Sequence, residues 1–150
     1  MRYRTLLLAL LVSATALMAA DPFEGTWKFN PSKSKYKTPA PKAVTIVITE
    51  KGEDLDVNIT GTAANGAPIA SHYTMPTKGG AGKIIQSPYD GVSTKRPSAN
   101  KREIGYMKGG KVVYSSTPTL SADGKTMTAT LKGTDTVGQA VEGTAVYDKQ

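Results

Sequence analysis

The chain has 150 residues, with 19 Lys+Arg against 12 Asp+Glu for a formal charge of +7, and it has no cysteine. That excludes a disulfide framework, a thiolate metal site and a cysteine nucleophile, while a single His leaves no second imidazole for a His-based zinc cluster. The length suits one domain, and 15 Gly and 9 Pro against 2 Phe and 1 Trp point to many turns and a modest core.

Residues 1–20 read MRYRTLLLALLVSATALMAA. Arg2 and Arg4 form a short positive region, Thr5 to Leu17 is apolar with small polar interruptions, and small residues close the segment. This is the layout of a secretory signal peptide; the competing reading is an N-terminal anchor that stays attached, against which the apolar run is short for a membrane span. Cutting after Ala20 places Met18 at the third position before the bond, where a small residue is usual. Ala14-Thr15-Ala16 matches the small-x-small pattern better but would leave four mostly apolar residues on the product. Cleavage after Ala20 is the expectation, leaving a domain over residues 21–150 in the periplasm or outside the cell. Two of the basic residues belong to the leader, so the charge of +7 falls to +5 in that domain. Nothing in it needs oxidative folding.

Downstream of the leader, period-two alternation recurs along almost the whole chain. Ten runs read as strands: 24–29, 43–50, 54–61, 68–75, 82–86, 91–97, 101–107, 111–119, 126–133 and 140–148. Val44, Ile46 and Ile48 alternate with Thr45, Val47 and Thr49; Leu55, Val57 and Ile59 with Asp54, Asp56, Asn58 and Thr60; Met127, Ala129 and Leu131 with Thr126, Thr128 and Thr130. Lys51-Gly52-Glu53, Asn65-Gly66, Asp90-Gly91, Gly109-Gly110 and Asp123-Gly124 supply residues that tight hairpins require. No window of ten residues carries a helical apolar period. The exception to alternation is 30–42, NPSKSKYKTPAPK, which reads as an extended surface crossing. Such a succession predicts an all-β, antiparallel up-and-down barrel of about 8–10 strands, because closure hides the two edges of a long meander; a two-sheet sandwich is the competitor. Residues 55–69 and 127–141 align without a gap, sharing Gly61/Gly133, Thr62/Thr134 and Gly66/Gly138. Either hairpin grammar has converged, or two halves of the barrel use equivalent hairpins.

The two ends of the domain carry a family resemblance. Phe23-Glu24-Gly25-Thr26-Trp27-Lys28 resembles the first strand of the cytosolic fatty-acid-binding proteins, and its Gly-x-Trp part resembles the lipocalins. Thr144-Ala145-Val146-Tyr147-Asp148-Lys149 is similar to the last strand of the fatty-acid-binding proteins. Both families are calycins, and the nearest overall likeness is to small exported bacterial lipocalin-like proteins. The resemblance implies a barrel holding a small apolar or amphipathic ligand, with Trp27 capping one end and Tyr147 pointing inward. Ala145 stands where that family places a carboxylate-binding Arg.

Six residues are the candidate ligand-binding set: Tyr147, Arg96, Arg102, Tyr73, Tyr106 and Trp27. Arg96 and Arg102 are the only arginines after the leader and flank the turn Pro97-Ser98-Ala99-Asn100. They lie in a stretch, 78–111, holding eight basic residues and two acids. Either this is a solvated hairpin, or an inward Arg grips a carboxylate in place of the one missing at Ala145. Tyr73 and Tyr106 offer an apolar ring and a polar tip to a cavity. Trp27 is either a packed closing residue or a ligand contact. No catalytic residue, metal ligand or cofactor site is expected: His72 has no partner constellation, Asp54 and Asp56 form a lone pair beside a turn, and the serine-elbow and phosphate-loop motifs are missing. The expected function is a non-catalytic, monomeric carrier of a small apolar or amphipathic molecule, fatty-acid-like if anionic. Its surface charge suits an anionic envelope surface, and export argues against nucleic acid as the partner. The alternative is a barrel with a filled interior that binds or inhibits an envelope partner.

Overall fold

The structure is a computed structural model that describes residues 19–150. The signal-peptide expectation, residues 1–20, falls almost wholly outside them. Twelve strands follow in chain order: β1 (Gly25–Phe29), β2 (Lys35–Tyr36), β3 (Ala43–Lys51), β4 (Asp54–Thr62), β5 (Pro68–Pro76), β6 (Gly80–Ala81), β7 (Lys83–Gln86), β8 (Gly91–Ser98), β9 (Lys101–Lys108), β10 (Lys111–Leu120), β11 (Thr126–Thr134) and β12 (Ala140–Lys149). All ten alternating runs are strands, each with one end shifted by a single residue. The two-residue strands β2 and β6 were not foreseen, because so short a bridge leaves no periodicity.

The strands form one antiparallel sheet in the order β6-β8-β9-β10-β11-β12-β1-β3-β4-β5-β7, with β2 alongside β12. First and last long strands pair, Phe29 facing Tyr147 and Trp27 facing Lys149, which rolls the meander into a nearly closed barrel. The sandwich is excluded. The incomplete seam lies between β7 and β8, which share no ladder.

Antiparallel alternation sorts the loops to two ends. The 30–42 crossing and the turns 63–67, 87–90, 109–110 and 135–139 lie at one end, here the mouth. Residues 21–24 and the turns at 52–53, 77–79, 99–100 and 121–125 lie at the other, the base.

The apolar phase of each strand points inward. Val44, Ile48, Leu55, Val57, Met127, Ala129 and Leu131 are all buried, whereas Val47, of the opposite phase, is 40% exposed. The repeated hairpins are geometrically equivalent at the mouth. Ala63 N donates to Ala67 O and Gly66 N to Ala63 O, and, 72 residues on, Asp135 N donates to Gln139 O and Gly138 N to Asp135 O. Each also needs its shared glycine for close strand contact: a Cβ on Gly61 would meet the Ala43 carbonyl of β3, and one on Gly133 the Val113 carbonyl of β10.

Candidate functional site

The barrel holds a partly open cavity of about 130 Å³. A single water needs roughly 10–15 Å³ on such a measure, so the interior is not filled by side chains. Its wall is mainly aliphatic, with Ile46, Ile59, Ile69, Val57, Ile104 and Met75 among the lining residues.

Half of the polar side chains in this wall are phenols, the others being Ser71, Arg102, Ser116, Asp135, Thr136 and Gln139. Of the seven tyrosines, Tyr3 lies outside the described residues; the other six, Tyr36, Tyr73, Tyr89, Tyr106, Tyr114 and Tyr147, all line the cavity. They come from separate elements: β2, β5, the 87–90 turn, β9, β10 and β12. Tyr73 and Tyr106 share a hydroxyl–hydroxyl hydrogen bond of 2.7 Å, and Tyr89 donates to the Thr134 carbonyl at 2.9 Å. The hydroxyls of Tyr36, Tyr114 and Tyr147 have no hydrogen-bond partner among the described residues. The rings brace one another: Tyr89 stacks parallel to Tyr114 at 6.2 Å, and Tyr106 lies 5.1 Å from Tyr89 and 5.4 Å from Tyr114. Burial raises every one of these phenols above its ordinary pKa, Tyr36 to about 12. These six phenols therefore stay neutral, and their hydroxyls can donate or accept.

Four of the six sequence-predicted residues, Tyr73, Tyr106, Tyr147 and Arg102, line this space; Trp27 and Arg96 do not. Trp27 is fully buried near the base, its indole N–H donating to the Phe23 carbonyl at 2.9 Å and the Lys149 ammonium lying 5.2 Å from its ring centre. Tyr36, Tyr89 and Tyr114 join the site from outside that set of six. Tyr114 shares the strand pattern of the chosen tyrosines. Tyr36 and Tyr89 sit in proline-containing connections where no alternation could point them inward.

Both arginines have a partner already. Arg96 Nη1 lies 2.7 Å from Asp21 Oδ2, and Arg102 Nη2 lies 3.1 Å from the same oxygen. Arg102 also donates to the Thr77 carbonyl at 2.8 Å and the Pro76 carbonyl at 3.4 Å, and sits over the Phe23 ring at 5.4 Å. Burial pushes its guanidinium below the ordinary Arg value, while Asp21 opposes that shift. Its Nε is fully buried with no partner. An incoming anion would have to compete with Asp21 for both guanidiniums.

No family model matches this chain, and no curated protein matches it. The site's chemistry thus rests on its own geometry.

Outside the barrel, His72 Nε2 lies 2.7 Å from Asp56 Oδ1 on the outer face of β4–β5, and Lys51 Nζ lies 2.5 Å from Asp56 Oδ2. The Lys51 hydrogen bond first, and His72 after it, hold the Asp56 carboxyl below its usual range. Among the described residues no helix is long and apolar enough to cross a membrane, and no group of three or more His, Cys, Asp or Glu is placed to hold a metal ion.

Proposed function

We propose that the protein is an exported, calycin-like carrier that holds one small apolar or amphipathic molecule inside its barrel. The observation that supports this most directly is the apolar cavity with six tyrosines around it. A wall of aliphatic side chains with a few convergent polar groups is the usual make-up of a small-molecule site. Three phenol hydroxyls without protein partners provide hydrogen bonds for a polar head. Neutral hydroxyls suit a carbonyl, hydroxyl or protonated acid. The arginines are engaged by Asp21, so the head is held by phenols and Arg102 contributes at most its free Nε. An unfilled interior favours this carrier over a barrel that works only through its outer surface. Exposed Lys78, Lys83, Lys95, Lys108 and Lys111 on one flank would keep it near an anionic envelope surface.

Native mass spectrometry of protein purified from its own host tests the reading. A small molecule should co-purify, and Ile59→Trp, which adds bulk to the cavity wall, should abolish its retention. A bare parent mass, together with a neutral solvatochromic dye that binds parent and Ile59→Trp alike, would refute it.

A further inference from the structure

The segment 21–24 passes under the base of the barrel and is tied to both sides of it. On one side the Asp21 carboxylate bridges Arg96 and Arg102 from the β8–β9 hairpin. On the other the Asp21 backbone nitrogen donates to Glu50 Oε2 of β3 at 2.7 Å, and the Glu50 amide donates back to Glu24 Oε2 at 2.8 Å. Glu24 N donates to the Asp21 carbonyl at 2.9 Å and Phe23 N to Asp21 Oδ1 at 3.0 Å, so the turn is locked internally. Ala19 and Ala20 are exposed, whereas Asp21 is buried. Among the described residues, burial thus begins at Asp21.

This set is short of one positive charge. Asp21, Glu24 and Glu50 bring three carboxylates, and Arg96 and Arg102 two guanidiniums. An unmatched charge in a half-buried site is unfavourable. The backbone nitrogen at Asp21 is the atom aimed at Glu50, and as an amide it carries no charge. As a free α-amine it would be an ammonium near neutral pH, since such groups titrate at about 7.7–8.0. The cluster would then be neutral.

We propose that the Ala20–Asp21 peptide bond is the processing site of this chain, and that the freed Asp21 α-ammonium forms a structural ion pair with the Glu50 carboxylate that locks the base of the barrel. The proposal rests on the export reading and adds to it a bond and a receptor for the new terminus. In the cleavage, water adds across the bond under an endopeptidase that removes leaders. Its oxygen goes to the Ala20 carbonyl carbon, the C–N bond breaks, and the nitrogen leaves with a proton. At neutral pH the products are the Ala20 carboxylate and the Asp21 ammonium. The pattern of small residues alone favours a cut after Ala16. A cut there would leave four extra residues, and an uncharged amide would remain against Glu50.

Two measurements test this. The full chain is expressed in a bacterial host and the intact mass of the released protein is taken. The expected product begins at Asp21. A product cut at any other bond overturns the proposal alone, and a chain that keeps its whole leader overturns the export reading with it. Separately, protein prepared to begin at Asp21 is compared with the same protein acetylated at that nitrogen, each with and without Glu50→Gln. With the free amine, Glu50→Gln should lower the unfolding equilibrium's stability constant by about two- to fivefold more than it does in the acetylated form, as expected of a partly exposed ion pair. Equal effects in the two forms overturn the ion pair.

Discussion

Asp21→Ala should be among the most damaging single substitutions in this barrel. It removes the carboxylate that accepts from Arg96 Nη1 at 2.7 Å, Arg102 Nη2 at 3.1 Å and the Phe23 amide at 3.0 Å. Arg102 cannot turn to solvent, because its side chain is 0% exposed. It keeps the Thr77 and Pro76 carbonyls, which accept hydrogen bonds but do not neutralise it. Orphaning one member of a buried ion pair costs about 3–5 kcal/mol, a large part of the roughly 5–15 kcal/mol that stabilises an ordinary domain. Arg96 is 21% exposed and can be resolvated, so Arg96→Ala should cost only about 1 kcal/mol. Urea unfolding followed by Trp27 fluorescence is the assay: the chain has one Trp, and its indole is bonded to Phe23 in the same segment. Asp21→Asn should lose nearly as much as Asp21→Ala. Adding Arg102→Met to Asp21→Ala should restore part of the loss, because the orphaned charge is then gone. If Asp21→Ala lies within about 0.5 kcal/mol of the parent, or the double variant gains nothing over it, the buried pair is not what holds the base.

Alkaline titration should be cooperative. All six cavity phenols have folded-state pKa values above the ordinary one of about 10, with Tyr36 near about 12. The folded state holds these protons more tightly than the unfolded state. Their contribution to stability is therefore full below pH ~10 and is lost as pH rises through 10 towards and beyond 12. Tyrosinate absorbance should appear in one step with the loss of near-UV circular dichroism, and a gradual rise near pH 10 in folded protein would contradict this. Gly133→Ala should cost about 2 kcal/mol or more, because φ is +128° and the new Cβ would meet the β10 backbone. Gly124→Ala, at φ +69° with nothing within 4 Å, should cost about 1 kcal/mol. Equal losses in thermal melts would rule out the close strand contact.

The strands were legible because each buries one face, and burial writes period two into the sequence. That same phase told which residues point in: Val44, Ile46 and Ile48 line the cavity or pack beside it, and Tyr73, Tyr106 and Tyr147 sit on inward phases. Tyr36 and Tyr89 were illegible for the complementary reason. Their orientation comes from long-range bonds, Tyr36 through a two-residue bridge to β12 and Tyr89 through a hydrogen bond to Thr134, and neither leaves a local period. Asp21 was the largest omission. Its arginine partners lie 75 and 81 residues away, so no spacing rule links them. One partial signal was present: two arginines on one hairpin, one of them on an inward phase, call for a buried carboxylate, but six acidic residues lie outside the strands and nothing local singles out Asp21.

The seam decides how a ligand could reach the cavity. At the mouth the 30–42 crossing is fastened to β12: Tyr36 and Lys35 pair with Gly143 and Thr144, Lys37 N donates to Glu142 O at 2.9 Å, and Val146 N donates to Ser34 Oγ at 2.8 Å. The β7 side is weaker. β7 pairs with β5 through three residue pairs broken by a register shift, and has no ladder to β8. β6 holds β8 through two pairs, with one further bond from Gly82 N to Val92 O at 2.8 Å. Ile85 is 51% exposed, so β7 buries little apolar surface to resist opening. Local opening needs least free energy where backbone pairing and burial are least. Amides of Lys83–Gln86 should therefore exchange with deuterium well before those of β3, β4 and β12, and a ligand held among the tyrosines should slow them, because Tyr73 on β5 and Tyr89 beyond β7 flank this strand. Exchange at β7 as slow as at β4, or unaffected by ligand, would instead place the entry at the mouth, with the 30–42 crossing as the part that moves.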